Sequence, residues 1–209
     1  MNKKLKIGIL DYGVGNVSSV LNLCRRINVE STIETNPNLL GNYNVLILPG
    51  VGSFDTAMMK IKDKGFYTAV SSYIANQNVT LIGICLGMQL LGLSSEEGIQ
   101  PGFGFLNFNS KSFKSNENHL VSLTNMGWCK TQFTKAPFSS LNDFSEFKYY
   151  HVHSYFVESD DPSIALGYSY HGFKFINAVH SGNIYGFQFH PEKSHFFGEV
   201  LFKILFSQL

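Results

Sequence analysis

Two textures divide the chain. Before about residue 100, short continuous apolar runs at 5–10, 45–48 and 80–84 alternate with apolar positions at helical spacing. Runs that short are strands buried on both faces, and their alternation with helices predicts a parallel sheet covered on each side. Val17, Val20, Leu21, Cys24 and Ile27 share one helical face; Phe66, Ala69, Val70, Tyr73 and Ile74 share another, and residues 86–93 predict a further helix. Later, alternating segments rich in Phe and Tyr at 103–108 and 149–157 predict antiparallel strands added to the sheet. Residues 184–189 predict another strand, and Phe197, Val200, Leu201, Ile204 and Leu205 a closing helix. The expected class is α/β: a mostly parallel central sheet flanked by helices with added antiparallel strands, in a single domain over 1–209.

Charge and cysteines narrow the function. Sixteen Lys and Arg against 15 Asp and Glu leave no excess to draw nucleic acid or an anionic membrane. The apolar run after the basic start stops at Asp11, too short for a signal-peptide core, and no stretch reaches the roughly 18 apolar residues of a membrane span. A cytoplasmic protein is expected. Cys24, Cys85 and Cys129 are an odd number without framework spacing, which argues against a disulfide scaffold and a zinc site. Cys24 falls on a helical apolar face and reads as core packing.

Cys85 reads differently. Gly83-Ile84-Cys85-Leu86-Gly87 has the Gly-x-nucleophile-x-Gly form of an elbow, where a strand turns sharply into a helix and lifts the nucleophile clear of the sheet. The predicted helix start offers free N–H groups to an oxyanion and a positive end to a thiolate, but one helix end is not enough, so a base is required. It is expected in His190-Pro191-Glu192, at the end of a strand. Pro191 favours an extended His190, and residues two apart then point the same way, so the carboxylate of Glu192 can orient the imidazole. Pro49-Gly50-Val51-Gly52 follows another strand, and an N–H there, with that of Leu86, predicts an oxyanion hole. His151 and His153 lie two apart on an expected strand without the third ligand a metal needs; no metal and no cofactor are expected.

These motifs resemble those of the class I, or triad, glutamine amidotransferases, with Gly83 to Gln89 as the elbow and Gln188 to Ser194 as the His and Glu strand. Asp11-Tyr12-Gly13-Val14-Gly15-Asn16, the Pro49 loop, Ser94 to Gly98, Met126-Gly127-Trp128 and Val152-His153-Ser154-Tyr155 are similar to the glutaminase subunit family of imidazole glycerol phosphate synthase. The resemblance implies a flavodoxin-like fold and a Cys85, His190, Glu192 triad. It also implies an oxyanion hole at Val51 and Leu86, and glutamine held by Gly50, Gly52, Gln89, His153 and Ser154. It further implies a heterodimer in which ammonia passes to a (β/α)8-barrel cyclase subunit, for histidine biosynthesis. The alternative is a paralogous glutaminase supplying ammonia for amidino-sugar formation in surface polysaccharide. A scaffold that lost activity fits less well with a complete triad, and a cysteine peptidase less well with the Asp11 motif. The chain departs from the family pattern at Asn125, where a His is usual, at Cys129, where an Asn is usual, and around His151 and Phe196-Phe197.

Overall fold

The computed structural model describes residues 5–75, 79–115 and 122–209. Its first half contains β1 (Ile7–Leu10), α1 (Val17–Arg26), β2 (Ser31–Glu34), β3 (Val45–Gly50), α2 (Phe54–Asp63), α3 (Phe66–Ala75) and β4 (Thr80–Cys85). The strands lie in the order β2-β1-β3-β4, all parallel, because each return crosses over the sheet. β3 is buried throughout, with successive residues facing opposite cores. Leu46 and Leu48 join Phe54, Met58 and Phe66 on one side, while Val45 and Ile47 join Leu23, Cys24 and Leu201 on the other. Cys24 is therefore core packing. β2 sits at the edge, and its sequence carries no apolar run to announce it.

Where the pattern predicts one helical region around Phe66, there are two helices. Gly65, at φ +77°, separates them, with its N–H bonded to the Lys62 carbonyl at 3.0 Å. A glycine in the left-handed region past the last turn is a helix stop.

The second half adds α4 (Leu86–Gln89), β5 (Ser94–Ser95), β6 (Asn109–Ser112), β7 (Asn125–Cys129), β8 (Gln132–Phe133), β9 (Tyr149–His153), β10 (Tyr155–Glu158), β11 (Ala165–His171), β12 (Phe173–Ser181), β13 (Ile184–Phe187) and α5 (His195–Phe206). β13 joins β4 in parallel and the sheet continues β12-β10-β6-β5, with β11 also on β12 and β8 on β11. β12 runs antiparallel to β13, β10 and β11, as expected of the added strands. β7 and β9 form a separate antiparallel pair.

Four boundaries differ from expectation. The helix predicted over 86–93 is a single turn, because Leu91 and Gly92 bond only three residues back, to Met88 and Gln89. The strand predicted at 103–108 is a loop: Phe103 and Leu106 are buried, but their N–H groups bond Leu90 and Leu91 carbonyls at 2.8 and 3.1 Å, capping the end of that turn. The segment 149–157 breaks at Ser154 into β9 and β10, which belong to different sheets. β13 ends at Phe187, short of 189. In α5 the buried stripe includes Phe202 and Phe206, which take the inner positions, and leaves Val200 and Ile204 partly exposed. Among the described residues, no helix is long and apolar enough to cross a membrane.

Candidate active site

Cys85 ends β4 at φ +55° and ψ −114°, a conformation that non-glycine residues adopt only under constraint. The constraint is close packing. A Cβ on Gly87 would lie 1.8 Å from the Leu48 carbonyl oxygen, and one on Gly83 would lie 2.7 Å from that of Gly87. Only glycines let the turn press against β3. The sulfur stands at the foot of an open cleft of about 320 Å³, whose lining includes Val51, Gly52, Leu86, Gln89, His153, Ser154 and His190. With four residues, α4 lends little macrodipole, so the positive charge beside the sulfur comes from His190.

His190 lies beyond β13 in extended backbone, with its N–H bonded to the Tyr150 carbonyl at 2.9 Å. Residues Pro191–Lys193 form a 3₁₀ turn rather than the extended run expected, yet this still carries Glu192 round to the imidazole. Nδ1 of His190 donates to Glu192 Oε1 at 2.7 Å, and both side chains are buried. Burial alone opposes a charged ring, but the Cys85 sulfur and the Glu192 carboxylate outweigh it and push His190 up to about 10. The ring is thus an imidazolium at neutral pH. Ser194 fixes the segment by donating to the His190 carbonyl at 2.6 Å and accepting the Tyr150 N–H at 3.0 Å.

The Pro49 loop meets the elbow directly. Gly50 is the register partner of Cys85 and is not among the residues lining the cleft; a Cβ there would come within 2.6 Å of the Gly87 nitrogen. Val51 is 39% exposed at the cleft mouth, and Leu86, as the first helical residue, has an N–H without an intrahelical partner. The Tyr12 hydroxyl, fully buried, donates to the Pro49 carbonyl at 2.7 Å and orients the peptide entering Gly50.

Several lining residues carry no sequence expectation of a role: Glu97, Thr124, Tyr155 and Lys193. Glu97 accepts the Phe54 N–H at 2.9 Å, and burial raises its pKa. Gln188, which opens the His and Glu motif but carries no expected role of its own, links Gln89 to the nucleophile: Gln89 Nε2 donates to Gln188 Oε1 at 3.1 Å, and Gln188 Nε2 approaches Cys85 Sγ at 3.8 Å. Its place two residues before His190 was the available signal.

A model of the family described as glutamine amidotransferase class-I matches residues 8–206. The chain belongs to the class-I glutamine amidotransferases. Within them it belongs with proteins named imidazole glycerol phosphate synthase subunit HisH. The HisH 2 subunit of Methanococcus maripaludis is 40% identical over 202 residues, 97% of this chain and 99% of the relative. That of Pseudomonas aeruginosa is 39% identical, covering 94% and 96%, and the HisH subunit of a Geobacillus strain 40%, covering 95% and 93%. Nothing in these names supports the amidino-sugar alternative. The amidotransferase shares its fold with a solved glutamine amidotransferase (TM-score 0.70, 16% identity, 95% and 96% of the two chains). It does so also with PurLQS from Thermotoga maritima (TM-score 0.69, 17% identity, 99% and 100%).

Proposed function

We propose that this amidotransferase is the glutaminase subunit of an imidazole glycerol phosphate synthase, with Cys85, His190 and Glu192 releasing ammonia from glutamine for a partner subunit. The observation that carries the reading is Cys85 at positive φ, at the foot of the cleft, beside a buried His190 held 2.7 Å from Glu192. The Cys85 thiolate attacks the side-chain amide carbon of glutamine, forming a C–S bond, and the oxyanion is met by the N–H groups of Val51 and Leu86. His190 gives its proton to the amide nitrogen as the C–N bond breaks, and ammonia leaves. Water, deprotonated by the neutral His190, then cleaves the thioester to glutamate and regenerates the thiolate. Glu192 keeps the imidazole oriented and balances its charge. Gly52, Gln89, His153 and Ser154 line the cleft and form the wall that receives glutamine, while Gly50 packs against the elbow.

Ammonia passes to a (β/α)8-barrel cyclase subunit that feeds histidine biosynthesis. Support for a covering partner comes from large apolar side chains left exposed on β7 and at the start of α5: Met126 at 67%, Trp128 at 44% and Phe196 at 62%. The test uses the complex. Cys85→Ala should abolish glutamine-dependent synthesis, a loss on the order of 10³-fold or more, and leave ammonia-dependent synthesis intact. Full glutaminase activity in Cys85→Ala would sink the triad, and rapid hydrolysis that ignores the barrel subunit would sink the partner.

A further inference from the structure

Two buried imidazoles, His153 in the cleft wall and His151 behind it, take no part in the bond-making steps above. His151 and His153 sit among Phe113, Phe175 and Phe189, with ring centroids 5.6 Å (Phe113–His153), 5.7 Å (His153–Phe175) and 5.5 Å (His151–Phe189) apart. Burial in that aromatic box drives both toward the neutral form, His153 down to about 3 and His151 well below its ordinary value. Each ring therefore holds one proton, and its hydrogen bonds say where.

His153 Nδ1 lies 2.7 Å from the Tyr155 carbonyl, which can only accept, so the proton is on Nδ1 and Nε2 is bare. Two donors converge on that Nε2: His151 Nδ1 at 3.0 Å and Asn125 Nδ2 at 3.3 Å. Asn125 is oriented for this by Cys129, whose thiol faces Oδ1 at 3.5 Å. Since the single proton of His151 is used at Nδ1, its Nε2 is a buried acceptor, and it has no partner among the described residues. An acceptor left in that state is costly, and a phenylalanine in the same box would avoid the cost. What histidine offers there and phenylalanine does not is the donor at Nδ1.

That donor acts on the cleft wall. β9 ends at His153 and β10 begins at Tyr155, so Ser154 is the step from the small sheet to the large one, and residues 152–155 line the cleft. The His153 ring reaches across the step to the Tyr155 carbonyl. The Ser154 hydroxyl meets that of Thr124 at 2.9 Å, and the Ser154 carbonyl accepts the Phe113 N–H at 3.1 Å. We propose that His151 and Asn125 are positioning residues, whose bonds to His153 Nε2 lock its Nδ1–H onto the Tyr155 carbonyl and so fix the wall against which glutamine binds. The proposal rests on the glutaminase reading. It assigns no substrate contact to the His153 nitrogens, because the protein engages both.

Two measurements decide it. Long-range ¹⁵N–¹H spectra of the wild-type histidines read the tautomers directly: Nδ1–H with bare Nε2 is expected for both rings, and a proton on His153 Nε2 overturns the network. Steady-state hydrolysis by the complex reads the role. His151→Phe should raise KM for glutamine about three- to tenfold with kcat within about twofold, the sign of lost ground-state positioning. His151→Asn, whose amide can donate from nearly the same place, should restore KM. Should His151→Phe fail to fold, Asn125→Leu, which removes the other donor, is read in the same way. An inactive wild-type complex refutes the glutaminase reading; an active wild type whose KM survives loss of either donor refutes the positioning role alone.

Discussion

The nucleophile and its base reach one cleft from opposite kinds of backbone. Cys85 ends an interior strand with parallel neighbours on both sides, Gly50 of β3 beside it and Phe187 of β13 beside Ile84. His190 lies past the end of its strand, with a single bridge to Tyr150 and the Ser194 hydroxyl to hold it. The elbow is set by close contacts that admit no intermediate arrangement; the base is set by individual hydrogen bonds that can be removed one at a time. The nucleophile should therefore fail all at once, and the base by degrees.

Gly87→Ala is the sharpest break on the nucleophile side. Its new Cβ would meet the Leu48 carbonyl at 1.8 Å, backbone that cannot step aside without moving β3. A loss of about 3 kcal/mol or more is expected, with glutaminase activity lost as well. Urea denaturation of wild type and variant checks it, and a fully stable, active variant would show that the elbow is not packed as described. On the base side, Glu192→Gln preserves shape and an acceptor for Nδ1 but removes the charge opposite the imidazolium. A kcat fall of about 10²-fold with little change in fold is expected, and an unchanged kcat would remove Glu192 from the mechanism.

The charge pair gives the next effect. Because His190 is raised to about 10 from an ordinary value near 6.5, its stabilisation is fully present below about 6.5 and is lost as pH climbs through 10. The Cys85 sulfur is one source of the rise, so Cys85→Ala should flatten this alkaline loss. Denaturation at pH 6, 8 and 10 compares the two slopes; equal slopes would mean that the sulfur does not hold the proton on His190.

The same contrast governs what was legible in the sequence. The elbow could be read because its determinants, Gly83, Cys85 and Gly87, are local. His190 and Glu192 were found by their spacing of two, although the geometry that joins them is a 3₁₀ turn and not a strand. Apolar patterns found the buried parallel strands but missed β2, which has no apolar run, and misassigned 103–108, because alternation reports which side chains are buried and not which carbonyls the backbone bonds. Glu97 was invisible as a cleft residue, since only the fold brings it beside α2. His151 and Asn125 could be marked as departures from the family pattern, but their convergence on one His153 nitrogen depends on the pairing of β7 with β9.

Ser194→Ala tests the base side at its smallest step. The fully buried hydroxyl joins the His190 carbonyl to the Tyr150 N–H, and its loss leaves both backbone groups without that partner while the Nδ1 bond to Glu192 stays. Stability should fall by about 1–2 kcal/mol. Because the imidazole keeps its charge and its orienting carboxylate but loses part of its anchorage, kcat should drop only about three- to tenfold, with KM unchanged. Folding and turnover are measured on the same preparation with its partner. A stability loss without any change in kcat would mean that Ser194 supports the fold alone, and the graded behaviour argued for the base would then rest on Glu192 alone.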